Sequence, residues 1–295
     1  MVGGPTDNAV VRSRAPRPVL PTPVLSSPFF PPFPVTFSAS LGGPRRLGQT
    51  GAMTAHDAPG PKTLADDIAR LDAATTDLLG TVERLDPSEL TAPSLCEGWT
   101  RAHVLGHVAR NADSIVNLAT WAMTGIVTPQ YASADAREEG IETSARQDLP
   151  RLAADLRESA ARCRAALMAL SHGLASRELT MRNGMVISPY ELPRRRTTEV
   201  IVHHFDLATG WSLDLAHPES VAFALEDTAR RFTSRPDGPG LTLQADDGRY
   251  LVLGDGSTIV YGSLGELLAW TTRGAVGPGL HVEGGADLPE LPSWG

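Results

Sequence analysis

The chain has 295 residues, of which 41% are hydrophobic, so it is long enough for one large domain or two domains of ordinary size with buried cores. Its formal net charge of −8 excludes a general nucleic-acid-binding protein. The sequence contains no uninterrupted apolar run of about 18 residues, so no membrane span is predicted. The two cysteines, Cys96 and Cys163, lack the spacing of a metal-binding motif, and they exclude a disulfide scaffold.

The first part of the chain differs in composition from the rest. Residues 1–52 hold ten of the 24 prolines and follow neither a helical nor a strand period. The prolines also interrupt any apolar stretch of the length that a signal peptide needs. We therefore expect residues 1–55 to be a disordered, Pro-rich extension, of which residues 1–52 precede the natural start at Met53.

Four amphipathic helices are predicted between residues 60 and 212. Apolar residues recur there at three- and four-residue steps, and Thr63, Thr100 and Ser188 supply side chains for N-caps. The predicted helices cover residues 63–85, 101–124, 149–170 and about 189–210. Residues 128–148 are polar and weakly patterned, and no element is predicted in them. Four helices with one apolar stripe each favour a four-helix bundle.

From residue 213 to residue 295 the pattern predicts a small α+β domain. A helix is expected from Pro218 to about Phe232, and another from Leu264 to Thr272 after the cap Ser263. Between and after these helices the period changes to two, which predicts strands at 241–244, 250–253, 258–261 and 279–283. The pairs Asp247-Gly248 and Asp255-Gly256 are hairpin turn signals. The predicted fold class is an α domain followed by an α+β domain.

Three residues of the predicted bundle have side chains that could bind a metal. Glu199 and His203 lie four residues apart and therefore side by side on one helix face. His107 shares the apolar stripe of the second helix. A carboxylate and two imidazoles are suitable zinc ligands. The alternative is that Glu199 and His203 form an ordinary surface pair and that His107 is a core histidine with one hydrogen bond.

Three blocks of sequence, in this order, resemble the mycothiol-dependent maleylpyruvate isomerase family. The segment 98–113 (GWTRAHVLGHVARNAD) resembles the family's first metal-ligand helix, and 199–207 (EVIVHHFDL) resembles its second. The segments 265–274 (GELLAWTTRG) and 288–294 (LPELPSW) are similar to its C-terminal domain. The resemblance covers roughly residues 60–295 and leaves out only the Pro-rich extension.

The resemblance implies a DinB-like four-helix bundle at 60–212 that holds one divalent metal, usually zinc, and a C-terminal α+β domain at 213–295. The implied ligands are His107, Glu199 and His203, whereas His103 and His204 are not ligand positions. The implied cofactor beside the metal is mycothiol, the small-molecule thiol of actinobacteria. We expect a cytoplasmic monomer whose partners are mycothiol and a small-molecule substrate, with no nucleic acid and no membrane.

In the family reaction a thiolate adds to the cis double bond of maleylpyruvate, the new single bond rotates, and elimination leaves the trans isomer. Arg273 matches the family's catalytic arginine, which would hold the substrate carboxylates with its planar fork. Thr272 stands where the family usually has glycine. Two other functions remain open from the sequence: a mycothiol-dependent S-transferase for another electrophile, and a metal-binding bundle without catalysis.

Overall fold

The computed structural model describes residues 37–38, 61–170, 174, 177–233 and 235–292. Apart from Phe37–Ser38, the predicted extension at residues 1–55 lies outside the described residues, and its disorder stays a prediction. These two residues form strand β1, whose backbone pairs with residues 250 and 251.

The N-terminal part is built from five helices. They are α1 (Pro61–Val82), α2 (Arg101–Thr124), α3 (Ala134–Ala145), α4 (Leu149–Met168) and α5 (Leu192–Asp206). Helices α1 and α2 each pack against both α4 and α5, so these four helices form the predicted bundle around one apolar core. The two helices that carry the predicted ligands, α2 and α5, are direct neighbours.

The local sequence explains where most of the bundle helices begin. Asp148 caps α4 through its side chain, and Pro150 lies in the first turn, where its missing N–H costs nothing. Ser188 caps a 3-10 turn at Pro189–Glu191 that leads directly into α5. The prediction that Thr63 caps the first helix was wrong, because α1 already begins at Pro61 and Thr63 lies within it.

Helix α3 falls in the segment where the sequence predicted no element. Nearly all of its faces are polar, and only Ile141 and Ser144 are buried, so it lacks the apolar stripe from which a helix can be predicted. It packs closely against α2 because Gly106 has no side chain at the contact. A Cβ atom at position 106 would lie 2.8 Å from Cβ of Ser144 and 3.1 Å from the carbonyl oxygen of Ile141.

We expect Gly106→Ala to destabilise the protein by about 1 kcal/mol. The overlap with α3 lowers the free energy of unfolding by roughly 1–3 kcal/mol, whereas the higher helix propensity of alanine raises it by about 0.5–1 kcal/mol. The matched control is Gly80→Ala in α1, where the nearest atom to an added Cβ is the Arg84 guanidinium at 3.5 Å, so stability should hold or rise. Urea titrations measure both. Equal stability of the two variants would contradict the close α2–α3 contact.

A small hairpin connects the bundle helices α4 and α5. Strands β2 (Leu179–Thr180) and β3 (Val186–Ile187) pair antiparallel around the turn that contains Gly184, for which only a loop was predicted. The strands have two residues each, too few to show alternation in the sequence.

The C-terminal part is a sheet with two helices. Its elements are α6 (Pro218–Thr233), β4 (Leu241–Ala245), β5 (Tyr250–Leu253), β6 (Thr258–Gly262), α7 (Leu264–Arg273) and β7 (His281–Val282). The strand order is β1-β5-β4-β6-β7, in which only β4 and β6 run parallel. Helices α6 and α7 pack on each other, and alternate residues of β4 are buried. The predicted elements are all present, and the last strand is shorter than predicted.

The second predicted hairpin, at Asp255-Gly256, was wrong. Strand β6 does not pair with β5 but lies on the other side of β4. The connection 254–257 therefore crosses the beginning of β4, where Thr258 donates its backbone N–H to the carbonyl of Gly240. A Cβ atom at Gly240 would lie 1.9 Å from Oδ1 of Asp255, so any side chain at this position would force the Asp255 carboxylate to move.

The two parts of the chain share one continuous set of buried apolar side chains. Helix α6 packs on α5, and the core extends from the bundle to the inner face of the sheet. The division at residues 212 and 213 stays a prediction. Within the described segments, no helix combines the length and the hydropathy needed to cross a membrane.

Candidate metal centre

The predicted ligands lie at the contact between α2 and α5. His107 comes from the second turn of α2, whose start is fixed by a cap in which the backbone N–H of Thr100 donates to Nδ1 of His103. His103 is therefore occupied at the helix end, and its Nε2 lies 3.3 Å from Glu142. A buried arginine joins the two helices one turn before Glu199, because Arg196 donates from Nη1 to Oδ1 of Asn111 at 2.7 Å.

The structure brings His107, Glu199 and His203 together. Oε2 of Glu199 lies 3.1 Å from Nε2 of His107 and 3.6 Å from Nε2 of His203. The two imidazole rings meet edge to face with their centres 4.5 Å apart. One ligand atom from each residue lies within 4.8 Å of the other two. The three side chains therefore point at one small volume between the helices.

Burial and hydrogen bonding shift the pKa values of these groups in opposite directions. Burial, and to a smaller extent the neighbouring His203, lowers the pKa of His107 to about 4, so the neutral form is favoured at pH 7. Burial also disfavours the charged form of His203, but hydrogen bonds to Asp206, Cys96 and Glu199 raise its pKa well above 6.5. Hydrogen bonds from both histidines hold the pKa of Glu199 well below its usual range despite burial.

A second group of polar side chains lies behind His203. Asp206, which is fully buried, accepts from Nδ1 of His203 at 2.8 Å and from the Cys96 thiol at 3.2 Å. Arg273 donates to both oxygens of the same carboxylate, from Nε at 2.6 Å and from Nη2 at 2.7 Å. Burial alone would raise the pKa of Asp206, but the hydrogen bonds from His203 and Arg273 lower it to about 2.

Arg273 thus reaches the centre from α7, although its two-nitrogen fork is directed at Asp206. Its Nη1 donates to the carbonyl of Thr272, the position where the family usually has glycine. The sequence placed this guanidinium near the site and predicted that it contacts substrate carboxylates. The structure gives it a protein carboxylate as a partner, and the contact with substrate stays a prediction.

The donor set fits a divalent metal. Two imidazole nitrogens and one carboxylate oxygen are the ligands that a catalytic zinc takes from proteins, with a further coordination position left for water or substrate. The Nδ1 atom of His203 is held by a carboxylate, which is the outer contact that fixes the ring of a metal-binding histidine and makes Nε2 more basic. A second possible group, Cys96 with His203 and Asp206, shares His203 with the first.

The other side of His107 is covered by aromatic residues and one arginine. The rings of Trp99 and His107 are 5.4 Å apart between centres. The guanidinium of Arg137 from α3 lies 5.9 Å from the ring centres of both Trp99 and Tyr131. Its Nη2 is 3.4 Å from Nδ1 of His107. Helix α3 therefore supplies a cation at the edge of the centre.

His204, which the sequence does not predict as a ligand, contacts residues outside the predicted trio of His107, Glu199 and His203. Its ring stacks on Trp211 with the centres 4.0 Å apart, and its Nε2 is hydrogen-bonded to Oγ1 of Thr81. Burial lowers the pKa of His204 to about 4.

We expect His204 to make stability dependent on pH. The folded pKa is about 4 and the unfolded value is about 6.5, so the unfolded chain binds the extra proton between these values and stability falls as pH falls from 6.5 towards 4. The loss is at most roughly 3 kcal/mol. In His204→Gln this part of the pH dependence should be absent, as measured by urea titration of both proteins at pH 7.5 and pH 5. An equally steep loss in the variant would contradict the assignment.

Three side chains of the site were missed by the sequence prediction. Asp206 follows His203 at a three-residue helical step, which is a signal that could have been used. Cys96 lies in a loop, and nothing in its local sequence indicates that Asp206 and Arg273 meet there. Arg137 could not be placed because α3 itself was not predicted.

Comparisons with known proteins agree with this fold. Residues 71–208 match the family model described as the mycothiol maleylpyruvate isomerase N-terminal domain. Two crystal structures of a mycothiol-dependent maleylpyruvate isomerase, one of them a His-to-Ala mutant, superpose on the chain with a TM-score of 0.72. In both cases the sequence identity is 28%, and the match covers 78% of this chain and 97% of the other chain. Among curated protein sequences, none matches this chain significantly. In its N-terminal domain and its fold, the chain is therefore similar to the mycothiol-dependent maleylpyruvate isomerase family.

Proposed function

We propose that this chain is a mycothiol-dependent maleylpyruvate isomerase, which converts a cis double bond to the trans form through addition and elimination of a thiol. The observation that carries the proposal is the convergence of His107, Glu199 and His203 on one volume in a fold shared with that enzyme over 97% of its chain. We further propose zinc as the metal, a monomeric state and a cytoplasmic location in an actinobacterial, mycothiol-producing cell.

In this proposal His107, Glu199 and His203 hold the metal. A divalent ion bound there would lower the pKa of a thiol at its open position and so supply a thiolate near neutral pH. Asp206 accepts a hydrogen bond from Nδ1 of His203 and so fixes the orientation of its ring. This contact keeps Nε2 directed towards Glu199 and favours the orientation that a ligand needs.

Arg273 is proposed as the catalytic arginine. Asp206 holds the guanidinium at the end of α7 in a fixed orientation, with two N–H···O contacts to a fully buried carboxylate. A cation that is already oriented costs less entropy when it contacts a substrate carboxylate. Trp99 contributes aromatic surface next to His107, and Tyr131 does the same next to Arg137.

The proposal is tested by incubating the zinc-loaded protein with mycothiol and maleylpyruvate and following formation of the trans isomer. We expect turnover that requires both the metal and the thiol. Omission of mycothiol and treatment with a chelator are the two controls. If the complete mixture forms no trans product while metal and thiol are bound, the isomerase assignment is wrong.

A further inference from the structure

The contacts of Arg137 suggest a role that the family match does not assign to it. Its side chain is only 15% exposed, although it belongs to a polar helix with few buried residues. Two aromatic rings flank the guanidinium, and a nitrogen of His107 lies within 3.4 Å. A cation is costly to bury at this depth unless it is paired. Its position therefore calls for a compensating negative charge.

The protein supplies only a weak partner for this charge. Within the described segments, the carboxylate paired with Arg137 belongs to Glu138, its neighbour along α3, whose side chain is 59% exposed. Exposed ion pairs of this kind contribute little and are screened by water and salt. A guanidinium carries five N–H donors, which are more than Glu138, His107 and the Tyr131 hydroxyl use. Arg137 thus retains donors for a further anion at the edge of the site.

Arg273 differs from Arg137 in this respect. Both oxygens of the buried Asp206 already compensate its charge, and it approaches the centre through His203. Arg137 instead belongs to α3 and lies next to a different predicted ligand, His107. The proposed substrate is a diacid with a carboxylate at each end. Two guanidinium groups that lie beside different ligands of the centre can each bind one of its carboxylates.

We propose that Arg137 binds one carboxylate of the substrate and makes the site selective for diacids over monoacids. This inference rests on the proposed function. Arg137 presents a planar fork, which a carboxylate meets with two parallel hydrogen bonds. The rings of Trp99 and Tyr131 hold the fork in place by their faces. Helix α3 is then the element that determines which substrates fit.

The test uses the full chain loaded with zinc and compares Arg137→Gln and Arg137→Lys with the wild type. For Arg137→Gln we expect the KM for maleylpyruvate to rise about ten-fold or more, because one charge-assisted contact is lost. The KM for mycothiol and the zinc content should stay within two-fold. Arg137→Lys should recover part of the loss, since it keeps the charge without the fork. The matched control is Arg146→Gln at the exposed end of α3, which should change nothing.

A binding measurement separates this inference from the proposed function. Glutarate, an unreactive diacid, and butyrate, a monoacid of similar length, are titrated calorimetrically into the zinc-loaded wild type and Arg137→Gln. We expect glutarate to lose about ten-fold in affinity in the variant and butyrate to change little. If the wild type fails to isomerise maleylpyruvate but the glutarate difference is found, the carboxylate site holds and the reaction assignment fails. An unchanged glutarate affinity, a raised KM for mycothiol alone, or a loss of zinc in Arg137→Gln would each overturn the role of Arg137.

Discussion

His107→Ala should reduce the metal content of the purified protein from about one ion per chain to less than a tenth. Removing one of three protein ligands leaves two, which are too few for a stable catalytic site. Glu199→Ala and His203→Ala should have the same effect, as measured by elemental analysis after dialysis. The matched controls are His103→Ala and His204→Ala, because His103 contacts the helix cap and His204 contacts Thr81. Full metal occupancy in His107→Ala would contradict the metal site and favour the alternative, in which His107 is a core histidine and Glu199 and His203 form an ordinary pair.

The same experiment has a second readout in protons. Burial lowers the pKa of His203, but its hydrogen bonds to Asp206 and Glu199 raise it well above 6.5, which favours a proton on Nε2 that must leave when a metal binds there. Zinc uptake by the metal-free protein should therefore release protons into a weakly buffered solution and become weaker as pH falls. Uptake without proton release would contradict the charge state of His203.

Arg273→Lys should lower kcat/KM by one to two decades, corresponding to roughly 1.5–3 kcal/mol for one charge-assisted contact. Lysine keeps the charge but cannot donate from two parallel nitrogens. Arg273→Ala should have a larger effect on folding, because it leaves the fully buried Asp206 without its cation at a cost of about 3–5 kcal/mol. Steady-state kinetics and urea titration measure the two effects separately.

The control for Arg273 is Arg235→Lys, at an ion pair with Asp237 in the same part of the chain. This pair is exposed, so neither kinetics nor stability should change noticeably. In the double variant Arg273→Ala/Asp206→Asn the buried charge is removed as well, and stability should recover in part. Wild-type turnover by Arg273→Ala would assign the C-terminal part a purely structural role, and the substrate carboxylates would need another partner.

The bundle was predictable because the sequence patterns that indicate its helices are local. Helices α1, α2, α4 and α5 show apolar residues on one face, and capping residues are recognisable before α2, α4 and the turn that leads into α5. The juxtaposition of Glu199 and His203 follows from a four-residue step on one helix in the same way. That His107 joins them depends on which helices are neighbours, which the pattern alone did not determine.

What could not be predicted depends on contacts between distant segments. Helix α3 exists because Gly106 on another helix admits it, not because its own residues form an apolar stripe. The crossing from β5 to β6 uses the same turn residues as a hairpin, and it is the pairing of β6 with β4 that distinguishes the two. The pairing of Asp206 with Arg273 spans 67 residues, and no local period encodes it.

The chain of contacts from α7 through Arg273 and Asp206 to His203 makes the C-terminal part and the centre one thermodynamic system. Any ion that binds His203 more tightly when α7 is docked must also stabilise the docking of α7 by the same free energy. Backbone amides in the last turn of α7, at Thr271 and Thr272, should therefore exchange with deuterium more slowly when zinc is present, although neither residue is one of the three predicted ligands. The C-terminal part is then coupled to occupancy of the site by a single buried carboxylate.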